Sequence, residues 1–275
     1  MLLQFGQLVV HLIDETKRLP AFPSRWTEAK LIESESADAV LRIKAASIAS
    51  DAPAKEGWTE ANLCGKRSWV YYDGNGALFA VQFGALQNDV NVLVNSTGLN
   101  NIRMGVQFGL LLALHEKCIG LHGVTLLYGN EIVILSAPSG TGKTTLAHLL
   151  ETYCDALMIN GDFALLTPTD NGLMFEPTPF CGSSGRALNH RVRVNRVVFL
   201  KQSKTNVWAD LTGREAVKQF MNNSFVPDWN ADLLQVVQEN IMKCIASIEV
   251  SMFSFAPDKE ATMCFSDHIG REKRK

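Results

Sequence analysis

One stretch limits the possible folds more than any other: Ala137-Pro138-Ser139-Gly140-Thr141-Gly142-Lys143-Thr144. Residues 132–136 ahead of it are a short unbroken apolar run, which reads as a buried strand, and residues 144–150 open an amphipathic helix. A glycine-containing loop between strand and helix, closing on Lys-Thr, is the pattern of a phosphate-binding P-loop. Gly140 and Gly142 admit backbone angles that turn successive N–H groups toward anionic oxygens. The helix behind them adds the positive end of its dipole. Lys143 has the reach for the β- and γ-phosphates, and the Thr144 hydroxyl can ligate Mg2+. Ser139, Gly140, Thr141, Gly142, Lys143, Thr144 and Thr145 are therefore the expected nucleotide contacts, with ATP or GTP and Mg2+ as cofactors. The first position of the usual pattern is glycine, and here it is Ala137. A glycine-rich turn with no ligand is the competing reading.

The residues just upstream say which kind of P-loop this is. Residues 122–128 read as a strand, Gly129-Asn130 as a tight turn, and residues 131–136 as the returning strand. A turn that short forces antiparallel pairing. Counting outward, Tyr128 faces Glu131, Thr125 faces Ile134 and His122 faces Ala137. His122 is thus expected at the mouth of the loop, where it can orient a nucleophile, touch the γ-phosphate or help move a proton. The alternative is a strand histidine bonded to a neighbouring carbonyl.

About one helix beyond the loop, the apolar run at residues 157–160 ends in Gly161-Asp162. An acid at a strand end suits a Mg2+ ligand, whereas a Gly-Asp turn can also leave its acid in solvent. Residues 181–185 are small and polar, a loop able to offer N–H groups to an anion. Arg186 adjoins it, and Arg191 and Arg193, two apart, share a face if extended. Any of the three can act as an arginine finger, Arg186 being the first choice, against the alternative of a solvated basic edge. Glu176 is a further metal-ligand candidate, but Pro177 and Pro179 leave its direction open. Cys181 has no identifiable partner base and is a weak nucleophile candidate.

At this point the sequence resembles a family. Leu121-His122-Gly123-Val124, Tyr128-Gly129-Asn130 and Ser139-Gly140-Thr141-Gly142-Lys143-Thr144 are similar to the catalytic domain of HPr kinase/phosphorylase and its relatives, which share a nucleotide-binding fold with phosphoenolpyruvate carboxykinase. The resemblance continues through residues 157–162, 179–185 and 194–200, roughly the C-terminal half of the chain. It implies a kinase that transfers a γ-phosphate to a hydroxyl, most plausibly of a serine in a peptide, a protein or a free amino acid. It also implies that Asp162 accepts the proton of the attacking hydroxyl. The HPr enzymes carry two adjacent aspartates where this chain has Gly161-Asp162, so one residue would serve as both base and metal ligand. By analogy alone, the ring assembly of those enzymes suggests a homo-oligomer. Two other functions are set beside this one: a carboxykinase-like lyase, and a nucleotide-gated binding module without transfer.

The rest of the chain supplies the frame. Residues 2–13, 39–46, 68–72, 77–83 and 89–94 read as strands, with a hairpin turn at Asp73-Gly74-Asn75-Gly76; residues 19–27 and 50–57 read as loops. Residues 100–118 form a dense apolar helix, ended at Gly120. Residues 193–200 and 248–255 are further strands, and 214–221 and 232–245 further helices. The expected class is mixed α/β with a β-rich N-terminal portion. The expected divisions are a β-rich accessory or substrate-binding portion at 1–100, a P-loop kinase domain at 101–265 and a basic flexible tail at 266–275. A net charge of −2, with the one basic run confined to Arg271-Glu272-Lys273-Arg274-Lys275, argues against a nucleic-acid binder. Six scattered cysteines without a CxxC pair argue against a zinc or dithiol site and fit a reducing compartment. With no apolar run of membrane-span length and no leader pattern, the sequence reads as cytoplasmic, with no membrane partner.

Overall fold

The computed structural model describes residues 2–17, 30–31, 37–48, 56–86, 88–94, 99–178, 180 and 182–269. The loop expected at 19–27, Pro179, Cys181 and the basic run at 271–275 lie outside the described residues, as does most of the loop expected at 50–57. The chain divides into two compact units, Met1–His115 and Glu116–Lys275.

In the first unit, eight strands form one mixed sheet: β1 (Leu2–Phe5), β2 (Leu8–Asp14), β3 (Lys30–Leu31), β4 (Ala39–Ala45), β5 (Gly57–Leu63), β6 (Lys66–Tyr72), β7 (Ala77–Phe83) and β8 (Asp89–Val94). Their order is β3-β1-β2-β4-β8-β7-β6-β5, with β4 parallel to both β2 and β8. The run expected as one strand over 2–13 is broken by a turn at Gly6, whose positive φ of 62° suits a residue without a side chain. Strict alternation puts Val10 and Leu12 of β2 and Ala39, Leu41 and Ile43 of β4 inside.

Helix α1 (Leu99–Ala113) lies on β4, β7 and β8. It ends earlier than the apolar run suggests, and Gly120 sits within the next strand. A linear reading assigns this helix to the P-loop portion, but its packing belongs to the first unit. The reason is a pair of glycines one turn apart. A methyl group at Gly105 would lie 2.8 Å from Val92 Cγ1, and one at Gly109 2.4 Å from Val92 Cγ2, so only glycine lets the helix settle this close.

The second unit begins with β9 (Ile119–Tyr128) and β10 (Glu131–Ser136), followed by α2 (Lys143–Tyr153), β11 (Ala156–Asn160), β12 (Phe163–Thr169) and β13 (Gly172–Glu176). Then come β14 (Val192–Arg193), β15 (Arg196–Gln202), β16 (Val207–Asp210), α3 (Gly213–Asn223), α4 (Ala231–Ala246), β17 (Glu249–Phe255) and α5 (Lys259–Ile269). The strand expected over 193–200 is thus split and shifted: Asn195, whose side chain accepts from the Ile132 amide, separates β14 from β15. Nine strands join in the order β14-β13-β12-β9-β10-β15-β17-β16, with β11 also on β9. β10, β15 and β17 are parallel neighbours. Their buried runs fit a sheet covered on both faces. One face packs Leu146, Ala147 and Leu150 of α2 and Phe265 of α5 on Val124, Leu126, Val133 and Leu135. The other packs Phe220 of α3 and Val237 and Ile241 of α4 on Leu121, Ile134 and Phe199. The class is mixed α/β. No helix among the described residues is long and apolar enough to cross a membrane.

Candidate active site

The hairpin register is the counted one. Tyr128 pairs with Glu131, Thr125 with Ile134 and Gly123 with Ser136, which carries His122 opposite the start of the loop. The Ser136 hydroxyl donates to the His122 carbonyl at 2.7 Å and pins the backbone there. Because strand side chains alternate, His122 shares the α2 face of the sheet with Val124 and Leu126.

The loop itself turns on Gly140 and Gly142, with φ of 79° and 97°. Gly142 is the N-cap of α2 and makes no side-chain cap, so the first N–H groups of the helix receive nothing from it. Ser139, Gly140, Thr144 and Thr145 are exposed, and Thr141 is half-buried. Lys143 is buried; its ammonium donates to the Ala137 carbonyl at 2.7 Å and the Pro138 carbonyl at 3.1 Å. Burial pushes its pKa below the usual lysine range, and the charge of Asp162 partly restores it.

Asp162 reaches the same place by a break in a long ladder. β11 and β12 both run antiparallel to β9, β11 along its C-terminal half and β12 along its N-terminal half. The register slips by one residue within β11, between Met158 and Asn160, and Gly161-Asp162 form a bend that joins the two strands. Asn160, fully buried, shapes this break: its amide donates to the Phe163 carbonyl at 2.7 Å and its oxygen accepts from the Gly161 amide at 2.8 Å. The Asp162 carbonyl stays tied to the Gly123 amide at 2.9 Å. Its carboxylate, 44% exposed, stands 3.6 Å from His122 Nδ1, just beyond hydrogen-bonding range. His122 is pushed below its ordinary pKa by burial and then by the Lys143 charge, against an upward pull from Asp162. The net effect favours the uncharged form of the ring.

Gly182, in a short 3-10 turn at Gly182–Ser184, closes over Asp162: a methyl group there would lie 2.6 Å from Asp162 Cβ and 3.0 Å from Oδ2. The basic candidates go elsewhere. The Arg186 guanidinium binds Glu151 and donates to the Met158 carbonyl at 3.2 Å. Glu151 lies eight residues past Lys143 on α2, about 12 Å along the helix axis at ~1.5 Å per residue. Arg191 donates from Nε to fully buried Glu176 at 2.8 Å, which engages that carboxylate in an ion pair. Arg193 lies over Gly172 at the exposed edge.

So the fold brings together the loop, Lys143, His122 and Asp162, and holds Arg186 on Glu151. Gly182 belongs to the loop singled out at 181–185, but its approach to Asp162 was not readable, and Asn160 was given no role. The only signal for Asn160 was an amide in an otherwise apolar strand beside Gly161. No protein-family model and no curated protein matches the chain. Among solved structures, the HPr(Ser) kinase/phosphatase from Coxiella burnetii aligns with a TM-score of 0.35 at 10% identity, over 56% of this chain and 90% of that one.

Proposed function

We propose that the chain is a Mg2+-dependent kinase that moves the γ-phosphate of ATP, or of GTP, to a hydroxyl, most plausibly that of a serine in a peptide, a protein or a free amino acid. The observation that carries this reading is the convergence of a loop lysine, an accessible carboxylate and an imidazole at one loop mouth. Phosphoryl transfer needs little more from a protein than positioning and charge neutralisation. The N–H groups of residues 139–145 would cradle the phosphates, with Lys143 released from the Ala137 and Pro138 carbonyls to meet them.

Asp162 would take the proton of the acceptor hydroxyl. His122, uncharged, would orient that hydroxyl without competing for the carboxylate as a cation. The serine comes from the resemblance of the motifs, since the chain has no readable acceptor code. One exposed hydroxyl at Thr144 and one carboxylate at Asp162 are a donor set that suits Mg2+, an ion that takes its remaining ligands from water and substrate phosphates. Among the described residues no group of three or more His, Cys, Asp or Glu could hold a metal without such help. When bound, Mg2+ would supply charge neutralisation at the phosphates.

The test is transfer of label from γ-³²P-ATP and γ-³²P-GTP to serine-containing peptides, candidate proteins and free serine. Labelled acceptor that disappears in Lys143→Ala supports the kinase. Nucleotide binding with no labelled product across those acceptors would leave a binding module instead.

A further inference from the structure

The outer edge of β11 is closed by side chains. Met158 gives its N–H to Glu151 Oε1 at 2.9 Å, and its carbonyl accepts from Arg186 Nη1 at 3.2 Å. The same Glu151 oxygen is bound by Arg186, so the ion pair occupies the polar groups that a neighbouring strand would otherwise take. His148 adds a contact to the other Glu151 oxygen at 3.1 Å. From this anchor the chain runs back through a tight turn, in which the Arg186 amide donates to Ser184 Oγ at 3.1 Å. It arrives at Gly182, held at φ 55° against the Asp162 side chain. An arginine anchored on Glu151, well along α2 from Lys143, is thereby joined by four residues of chain to Gly182 beside the carboxylate at the loop mouth.

We infer that Arg186 is a positioning residue: paired with Glu151, it clamps residues 182–186 so that Gly182 holds the Asp162 carboxylate toward His122 and the loop. Its charge is neutralised at the clamp and does not meet the phosphate. The inference deepens the kinase reading and rests on it only for the rate measurement.

The test uses the full chain and four variants: Arg186→Ala, Arg186→Lys, Glu151→Gln and the double Arg186→Ala/Glu151→Gln. Amide hydrogen exchange is followed over residues 159–164 and 182–187, and kcat for transfer is measured beside the dissociation constant for ATP. Both alanine and glutamine singles are expected to speed exchange in both segments and lower kcat by about 10²-fold, the scale for a catalytic group misplaced by about an ångström. The double is no worse than either single, Arg186→Lys recovers most of the rate, and ATP affinity is unchanged. A transition-state arginine would instead lose roughly 10³-fold or more in Arg186→Ala while Glu151→Gln stayed near wild type, and that would overturn the inference. So would exchange at 159–164 that is unaltered in both singles. A parallel loss of ATP affinity and kcat would reduce the clamp to a fold-stabilising contact and overturn it too. If the wild-type chain transfers no phosphate, the kinase reading fails, and the exchange measurement still decides the clamp.

Discussion

At the scale of single residues, the proposed kinase would rest most on Lys143 and Asp162, and they should fail differently when replaced. Lys143→Ala removes the cation that would meet the terminal phosphates, so both ATP affinity and transfer should fall, the latter to background. Asp162→Asn keeps the shape and most of the packing against Gly182 but loses the proton acceptor. Its transfer rate should drop by roughly 10²–10⁴-fold, with ATP affinity retained in a fluorescent-nucleotide titration. Retained transfer in Asp162→Asn would remove that residue from the mechanism. Both residues were readable in the chain, because a lysine closing a glycine loop and an acid ending an apolar strand have meaning at fixed spacing. His122 was readable through arithmetic: a tight turn sets the register, and the register sets the partner. Arg186 was visible as a basic side chain, but its partner Glu151 is 35 residues away and on another element, a pairing that no local pattern encodes.

At the scale of elements, the decisive feature is the break between β11 and β12, and it depends on one amide. Asn160→Ala leaves the Phe163 carbonyl and the Gly161 amide without their present partner in a buried position. The expected loss is about 1–3 kcal/mol of stability in urea unfolding, with a transfer rate that falls more than ATP affinity because the Asp162 turn relaxes. Asn160→Asp keeps the acceptor for Gly161 but loses the donor to Phe163 and buries a charge, so it should be worse than alanine. The Glu151 clamp makes a second prediction, in pH. Burial alone would raise the Glu151 pKa, but the Met158 amide, Arg186 and His148 outweigh it and leave the carboxyl below its usual range. A carboxylate whose folded pKa is depressed contributes stability that is complete above its unfolded pKa, about 4.3, and is lost as pH falls through the folded value. Urea midpoints followed downward from about pH 5 should therefore decline less steeply in Glu151→Gln than in the wild type. The boundaries of α1 and β14 were the parts hardest to read from the chain. An apolar helix looks the same whichever sheet it covers, and its packing on β4, β7 and β8, closest where Gly105 and Gly109 meet Val92, assigns it to the first.

At the scale of the whole molecule, every residue nominated for chemistry lies in the unit Glu116–Lys275. Both hydrophobic clusters that sandwich its sheet draw on residues of that unit alone, from Ile119 to Ile269. The first unit has a cluster of its own, around Val70, Tyr72, Ala80 and Leu93. A body whose two cores are internally supplied, and whose glycine loop follows its own central strand, has what it needs to hold that loop in shape. Residues 116–275 produced alone should therefore bind ATP with an affinity within a few-fold of the full chain, by the same fluorescent titration, and should lose that binding in Lys143→Ala. Transfer to the physiological acceptor is the property expected to separate the two proteins if the first unit is the substrate-binding portion proposed from the sequence, since it would then act on the acceptor and not on the nucleotide. If instead the fragment folds, by its circular dichroism and cooperative melting, yet binds no ATP, then nucleotide binding draws on the first unit as well. The division of labour between a nucleotide unit and an acceptor unit would then have to be abandoned.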